Sequence, residues 1–522
     1  MSQNSSPESK SDACTVILDG HSLTLSDVVQ IARQGAKVTL STEAMKSVHR
    51  SRLCVESRLA NGGTFYGINT GFGALASVKI PPSQLSDLQL NLIRSHACGV
   101  GTPLETDIVR AVITLRLQTM LRGHSGVRED TLRQMEFFLN EGIHPVVPSQ
   151  GSVGACGDLA PLAHLALALI GEGDVEWNGS ISRASTVLEA LRRKALKPEP
   201  KEGLSLINGT QVMTAVGLLA CDTASQLLCS ADVIVAMSLD ATLGTATAYR
   251  DEIHQVRPHP GQIAAAANMR KILADDGLRL SHAGCTKVQD PYSFRCAPQV
   301  HGAARNAYDH VLATLLRETN SSTDNPLVFP DTDEILSGGN FHGEPVAMVL
   351  DYLAIAIAEI ASISERRIDK LVNPHMSGLP PFLMKDSGIN SGFMIPHVVA
   401  ASLVSENKVL CHPASVDSIP TSAEQEDHVS MGMTSAMKLR KVIDNTSRVL
   451  AIEALAAAQG LEFHTPIQGG EGVRAAHAFI RRSSPQMSVD RSLASDIEAL
   501  SQAIRLGTFR RHVEDVCGEL FV

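Results

Sequence analysis

A chain of 522 residues exceeds the size at which one hydrophobic core keeps growing, so it either divides into domains or builds a long helical assembly. The apolar content of 44%, beside 39 glycines and 24 prolines, excludes disorder and collagen-like repeats. A formal charge of −10, with no basic stripe interleaved with aromatics, excludes nucleic acid as the expected partner and favours a small one.

The first fifteen residues, beginning MSQNSSPESK, read as a polar tail without the apolar core of a signal peptide. Next, SDVVQIARQG predicts a short helix, with Ser26 as cap residue and Gly35 as its stop. A longer helix is expected from Thr42 to Asn61, with Met45, Val48, Val55 and Leu59 on one face. FYGINTGFGALA (65–76) breaks both periodicities and reads as a polar loop, followed by helices near 84–98, 103–122 and 128–141. In GSVGACGDLAPLAHLALAL, Leu162, Leu165 and Leu169 recur at helical spacing and Pro161 suits a first turn, so Ala155, Cys156 and Gly157 fall at a helix N-terminus. The stretch 173–204 reads as a surface excursion with a hairpin around WNGS.

Segments 211–238, 345–372, 394–411 and 433–459 predict long apolar helices that pack as a bundle and against other subunits. Runs such as VMTAVGLLA are interrupted well short of the roughly 20 residues that a membrane span needs, so no membrane is expected. The expected fold is mostly α: a loop-rich N-terminal part over 16–210 and a long-helix bundle over 211–522, joined as one continuous fold. GEGVRAA (470–476) partly matches a dinucleotide fingerprint but has no preceding strand, so it reads as a loop before a helix. Ten cysteines without a CxxC pair suit reduced thiols in the cytoplasm, and no histidine spacing marks a metal site.

Four further loops concentrate functional groups: LINGTQ (206–211), QDPYSFRCAPQVHG (289–302), the pair NSSTDNP and SGGNFHGEP (320–345), and TSAEQEDHVSMG (421–432). Together with 65–76 and the segment around Cys156 they resemble the aromatic amino acid ammonia-lyase family, within it the histidine branch, in order and spacing from about residue 20 to 460. The resemblance implies the histidase-like helical fold. It also implies a homotetramer with shared active sites and the elimination of ammonia from L-histidine to give urocanate, the first step of histidine breakdown. In that family an Ala-Ser-Gly tripeptide cyclises and loses water to form 4-methylideneimidazol-5-one (MIO), an electrophile made from the chain.

Here the tripeptide is Ala155-Cys156-Gly157, a departure from the family pattern. The nitrogen of Gly157 must reach the carbonyl of Ala155, an approach that small neighbours permit. The middle residue must then lose its β-substituent, and a thiol with a pKa of about 8.5 is no worse a leaving group than hydroxide. A free cysteine beside a helix start otherwise only fills space.

By the same resemblance Tyr66 is the base, a phenol that needs positive potential to ionise at neutral pH. Arg295 matches the partner of the substrate carboxylate, a task suited to a planar guanidinium. Tyr292 and Gln289 match residues lining the site, Asn208 the amide beside the cofactor, and Phe329 a further lining residue. Ser95-His96 matches the histidine-branch pair, and Glu426 the carboxylate that accepts from an imidazole N–H. Glu424 departs from many bacterial relatives, whereas Met394 keeps the histidine-branch type. The alternatives are a 2,3-aminomutase using the same group, a lyase on a trimethylated histidine derivative without MIO, and a catalytically inactive homologue.

Overall fold

The computed structural model describes residues 15–284 and 287–522, so the expected polar tail lies outside the described residues apart from Thr15. Helices dominate the chain, with short strands confined to four small sheets among the described residues. The first predicted helix runs Leu25–Arg33, two residues earlier than a Ser26 cap would place it. Its cap is Thr24 in place of Ser26: Thr24 Oγ1 accepts from Asp27 N while Asp27 Oδ2 accepts from Thr24 N, a reciprocal box that fixes the start. The predicted hairpin pairs Asp174–Trp177 with Ser180–Arg183 through Asn178 and Gly179, both at positive φ, as a two-residue turn of this hand requires. The helix from Leu159 to Leu169 buries Leu162, Leu165 and Leu169 completely.

Two compact units emerge, and they differ from a division at residue 210. One comprises the chain to Leu219 together with Ala313–Met348 and Ala414–Ala436; the other comprises Ala220–Leu312, Val349–Pro413 and Met437–Val522. Boundaries fall inside helices such as Gln211–Ala241 and Glu344–Val372, so no linker marks them in the sequence. These two helices also correct the expectation about apolar length, since both are long and apolar enough to cross a bilayer. Protein covers them instead: 89% of the most apolar stretch of the first is buried, and 61% of the second.

All the strands belong to the first unit. It is organised around the Thr106–Leu121 helix, which is buried from Ile108 onward. The second unit is pinned by a fully buried ion pair: Arg367 grips Glu453 with Nε–Oε1 at 2.5 Å and Nη2–Oε2 at 2.8 Å. Ser238 and Ser364 donate to the same two carboxylate oxygens, so every lone pair facing the core is engaged. Arg367 Nη1 also donates to Ser293 O, and Tyr249 Oη donates to Phe294 O, which anchors the short Tyr292–Arg295 helix from below.

Neutralising one member of such a pair leaves the other charge buried alone. Glu453→Gln is expected to destabilise the protein by about 3 to 5 kcal/mol, and joint replacement of Arg367 and Glu453 by Met and Leu to recover most of it. Chemical denaturation of the three proteins checks this.

Candidate active site

The tripeptide Ala155-Cys156-Gly157 sits in a tight turn bridged from Gly154 to Gly157, just before the Leu159–Leu169 helix. A second strand of backbone clamps it: Gly209 N donates to Cys156 O (3.1 Å), and Asp158 N donates to Gly209 O (2.8 Å). Gly157 has φ +73°, and a Cβ there would lie 2.1 Å from Gly209 O. Gly209 has φ +137°, with space for a Cβ closed by Gln211, Thr323 and Arg116. Both positions require glycine twice over, for conformation and for room.

Asp158, fully buried, holds this turn to the neighbouring helix. Its Oδ2 accepts from Val212 N and Met213 N at 2.9 Å each, in the first turn of Gln211–Ala241, and its Oδ1 accepts from Ser152 Oγ (3.0 Å). Burial pushes its carboxyl up to about 6 against the downward pull of these bonds. Sequence reasoning treated Asp158 only as part of the flank; its role depends on a helix that begins more than fifty residues later. Asn208 is buried beside the clamp. Its Nδ2 donates to Asn325 O (3.0 Å), and its carbonyl accepts from Arg116 Nη1 (2.6 Å). Asn208 Oδ1 is buried with no hydrogen-bond partner, an acceptor held for a donor the chain does not supply.

A cavity of about 490 Å³ opens over Cys156. Tyr66, Phe72, His96, Leu204, Ser422 and Glu426 are among its walls, so four of the expected site residues, Tyr66, His96, Cys156 and Glu426, meet there. Cys156 Sγ donates to Glu426 Oε1 (3.4 Å), while Thr421 Oγ1 donates to Glu426 Oε2 (2.7 Å). Burial, and then the charge and hydrogen bond of Glu426, raise the Cys156 pKa far above the ordinary thiol range. The thiol is therefore protonated. Glu426 is carried by a loop in which Ser422, Ala423 and Glu424 all have positive φ, closed by reciprocal backbone bonds between Thr421 and Glu426. Three non-glycine residues in that region store about 1 to 3 kcal/mol each.

Tyr66 Oη accepts from Gly73 N (3.1 Å), and its ring packs edge-on against Phe72. The expected positive potential is not what its surroundings supply. Burial raises its pKa first, the Gly73 N–H lowers it, and the charge of Glu426 raises it further. His96 Nδ1 lies 2.8 Å from Leu92 O, so Nδ1 carries the proton and Nε2 is an acceptor. Burial lowers its pKa and keeps the imidazole neutral.

The remaining expected residues lie elsewhere. Phe329 is in the strand Leu327–Phe329 with its ring 5.2 Å from His124 and is not among the cavity walls, because its strand turns the side chain toward that histidine. Gln289, Tyr292 and Arg295 belong to the second unit. There Tyr292 is 70% exposed and Arg295 stacks over its ring at 4.4 Å, with Arg295 Nε buried and unpartnered. Gln289 is exposed. Leu75, Leu88, Asn91 and Ile207 also line the cavity and carry no signal of it in the sequence, the three apolar ones because such side chains look like ordinary core.

Residues 23–482 match the aromatic amino acid lyase family. A histidine ammonia-lyase of Anaeromyxobacter sp. (strain K) is 54% identical over 502 residues, covering 94% of this chain and 99% of its own. Among solved structures, histidine ammonia-lyase from Trypanosoma cruzi superposes with a TM-score of 0.89 at 44% identity, covering 96% of this chain and 95% of the other. Tyrosine aminomutase from Streptomyces globisporus superposes with a TM-score of 0.91 at 37% identity, covering 96% and 98%. A clamped Ala-Cys-Gly turn under a tyrosine- and glutamate-lined cavity, within a match that runs nearly end to end, places the chain in the aromatic amino acid lyase family.

Proposed function

We propose that this protein is a histidine ammonia-lyase that eliminates ammonia from L-histidine to give trans-urocanate, using MIO formed from Ala155, Cys156 and Gly157. The observation that carries the reading is the Gly157–Gly209 clamp over the tripeptide, beside the orphaned Asn208 Oδ1. A turn this tight with no side chain at Gly157 suits attack of its nitrogen on the Ala155 carbonyl, and Asn208 offers an unused acceptor beside the product. MIO supplies an electrophile that makes the substrate amine a better leaving group.

Glu426 sets the choice of histidine. Thr421 already satisfies one carboxylate oxygen, and the Cys156 thiol occupies the other. Loss of the sulfur frees Oε1 to accept from an imidazole N–H, a donor that phenylalanine lacks. Tyr66, facing the same cavity, takes the β-proton, and neutral His96 adds a second polar wall.

The cavity walls include no lysine or arginine to meet the substrate carboxylate. Arg295, half-buried and stacked on the exposed Tyr292, is available to supply it from a second copy of the chain. Exposed apolar side chains on the long helices of the second unit, Tyr352, Ile355, Ile395, Val398 and Val399, support burial between copies in a homotetramer. A cytoplasmic location fits thiols that are all free among the described residues. The aminomutase alternative keeps the same cavity and differs in product, so chromatography of the reaction mixture separates the two.

Intact mass of the denatured protein is expected to be lower than the sequence mass by one water and one hydrogen sulfide. Gly157→Ala is expected to restore the full sequence mass; an unmodified wild-type chain overturns the reading. Glu426→Gln is expected to lower kcat/KM for L-histidine by about 10- to 100-fold, the worth of one hydrogen bond to a charged group, with urocanate absorbance as the readout.

The pH profile follows from Tyr66. A base with a raised pKa makes kcat/KM rise on the alkaline side as the phenolate forms. The negative charge of Glu426 is one cause of the raised value, so Glu426→Gln is expected to move that limb to lower pH; a limb that stays in place excludes Tyr66 as the titrating group.

A further inference from the structure

Outside the walls of the cavity, the first unit brings His342, Glu344 and His428 together, with one ligand atom of each within 4.8 Å of the others. The sequence hides the cluster, because His428 lies far along the chain from the other two. His342 and Glu344 sit where the Glu344–Val372 helix begins, and His428 follows the strained loop that carries Glu426. Gly343 lies against this second segment, so close that a Cβ on it would be 2.7 Å from Ser430 Oγ.

We propose that His342, Glu344 and His428 bind a divalent transition-metal ion. Two features beyond proximity support it. His342 Nε2 is 3.1 Å from His428 O, so it donates its proton there and Nδ1 is the deprotonated nitrogen. Metal-bound histidines characteristically donate their other ring N–H to a carbonyl or carboxylate in this way. The Nδ1 lone pair is engaged only by Glu344 N at 3.3 Å, a long bond that a cation displaces readily. The second feature is Glu344 Oε2, which is buried with no hydrogen-bond partner. A buried carboxylate oxygen without a donor calls for a cation.

Two imidazoles and one carboxylate suit zinc, cobalt or manganese, with one position left open to water. Ligand bonds of about 2.0 to 2.2 Å require the three atoms to close in from their present spread. Rotation of the exposed His428 side chain supplies that movement. Bound metal would tie the start of the Glu344–Val372 helix to the segment presenting Glu426. This inference does not depend on which amino acid the enzyme consumes.

The test is titration of the full-length, chelator-treated protein with Co²⁺ alone, followed by visible absorption and by calorimetry with Zn²⁺. One ion per chain is expected, with d–d bands of a four- or five-coordinate nitrogen and oxygen site. Affinity is expected to fall at least about tenfold in both Glu344→Gln and His428→Gln, and to be unchanged in Cys156→Ser. His428→Gln alters an exposed side chain and so reports even if Glu344→Gln folds poorly. Hydrogen exchange over 421–431 is expected to slow when metal is added to the wild type. No binding at about 1 mM metal, binding unaffected by both substitutions, or a sulfur charge-transfer band that disappears in Cys156→Ser overturns the proposal.

Discussion

Two strands of backbone approach each other at Gly157 and Gly209 with no room for a single carbon atom between them. Much of the candidate site follows from that contact. It sets the path of the tripeptide and aligns Cys156 O with Gly209 N. It also brings Asn208 beside the turn. Asp158 then closes the arrangement by accepting from the first turn of the Gln211–Ala241 helix, so the tripeptide is bonded to a rigid element in place of a mobile loop. Main-chain atoms cannot be adjusted by a rotamer, so the geometry of this turn is set by the glycine contact and by Asp158.

The electrostatics of the cavity follow from the same burial. Tyr66, Cys156 and His96 are all shifted toward their neutral forms, with desolvation as the leading cause in each case. Glu426 adds to the upward shifts of the phenol and the thiol, so the cavity disfavours a further negative charge. A zwitterionic amino acid brings both signs, and its carboxylate finds no cation among these walls. Arg295 lies in the second unit, its guanidinium stacked on Tyr292 and its short helix anchored through Phe294 and Ser293 to Tyr249 and Arg367.

Helix positions were legible in the sequence because their apolar periodicity is strong: the long segments at 211, 345, 394 and 433 appear within a few residues of their expected limits. Boundaries failed where a reciprocal side-chain bond decides them, as between Thr24 and Asp27, since the hydroxyls of Thr24 and Ser26 carry the same local capping signal. The division into units was illegible because it runs through helices instead of linkers. Of the site, the residues inside glycine-rich loops could be named, since such loops carry polar groups that core packing cannot explain. Phe329 shows the limit: an aromatic residue in a strand has the same composition signal whether it lines a cavity or packs on His124.

The substitution of cysteine for the serine of the family pattern is tolerable for a reason visible in the cavity. Serine offers a neutral hydroxyl at every pH of interest, whereas a cysteine is normally poised to ionise. Here desolvation and the facing carboxylate of Glu426 both oppose a thiolate, so Cys156 carries the same charge a serine would. A thiol held neutral is also a poor nucleophile and resists oxidation. One carboxylate, Glu426, thus both forms a wall of the cavity and holds the Cys156 thiol in its neutral form.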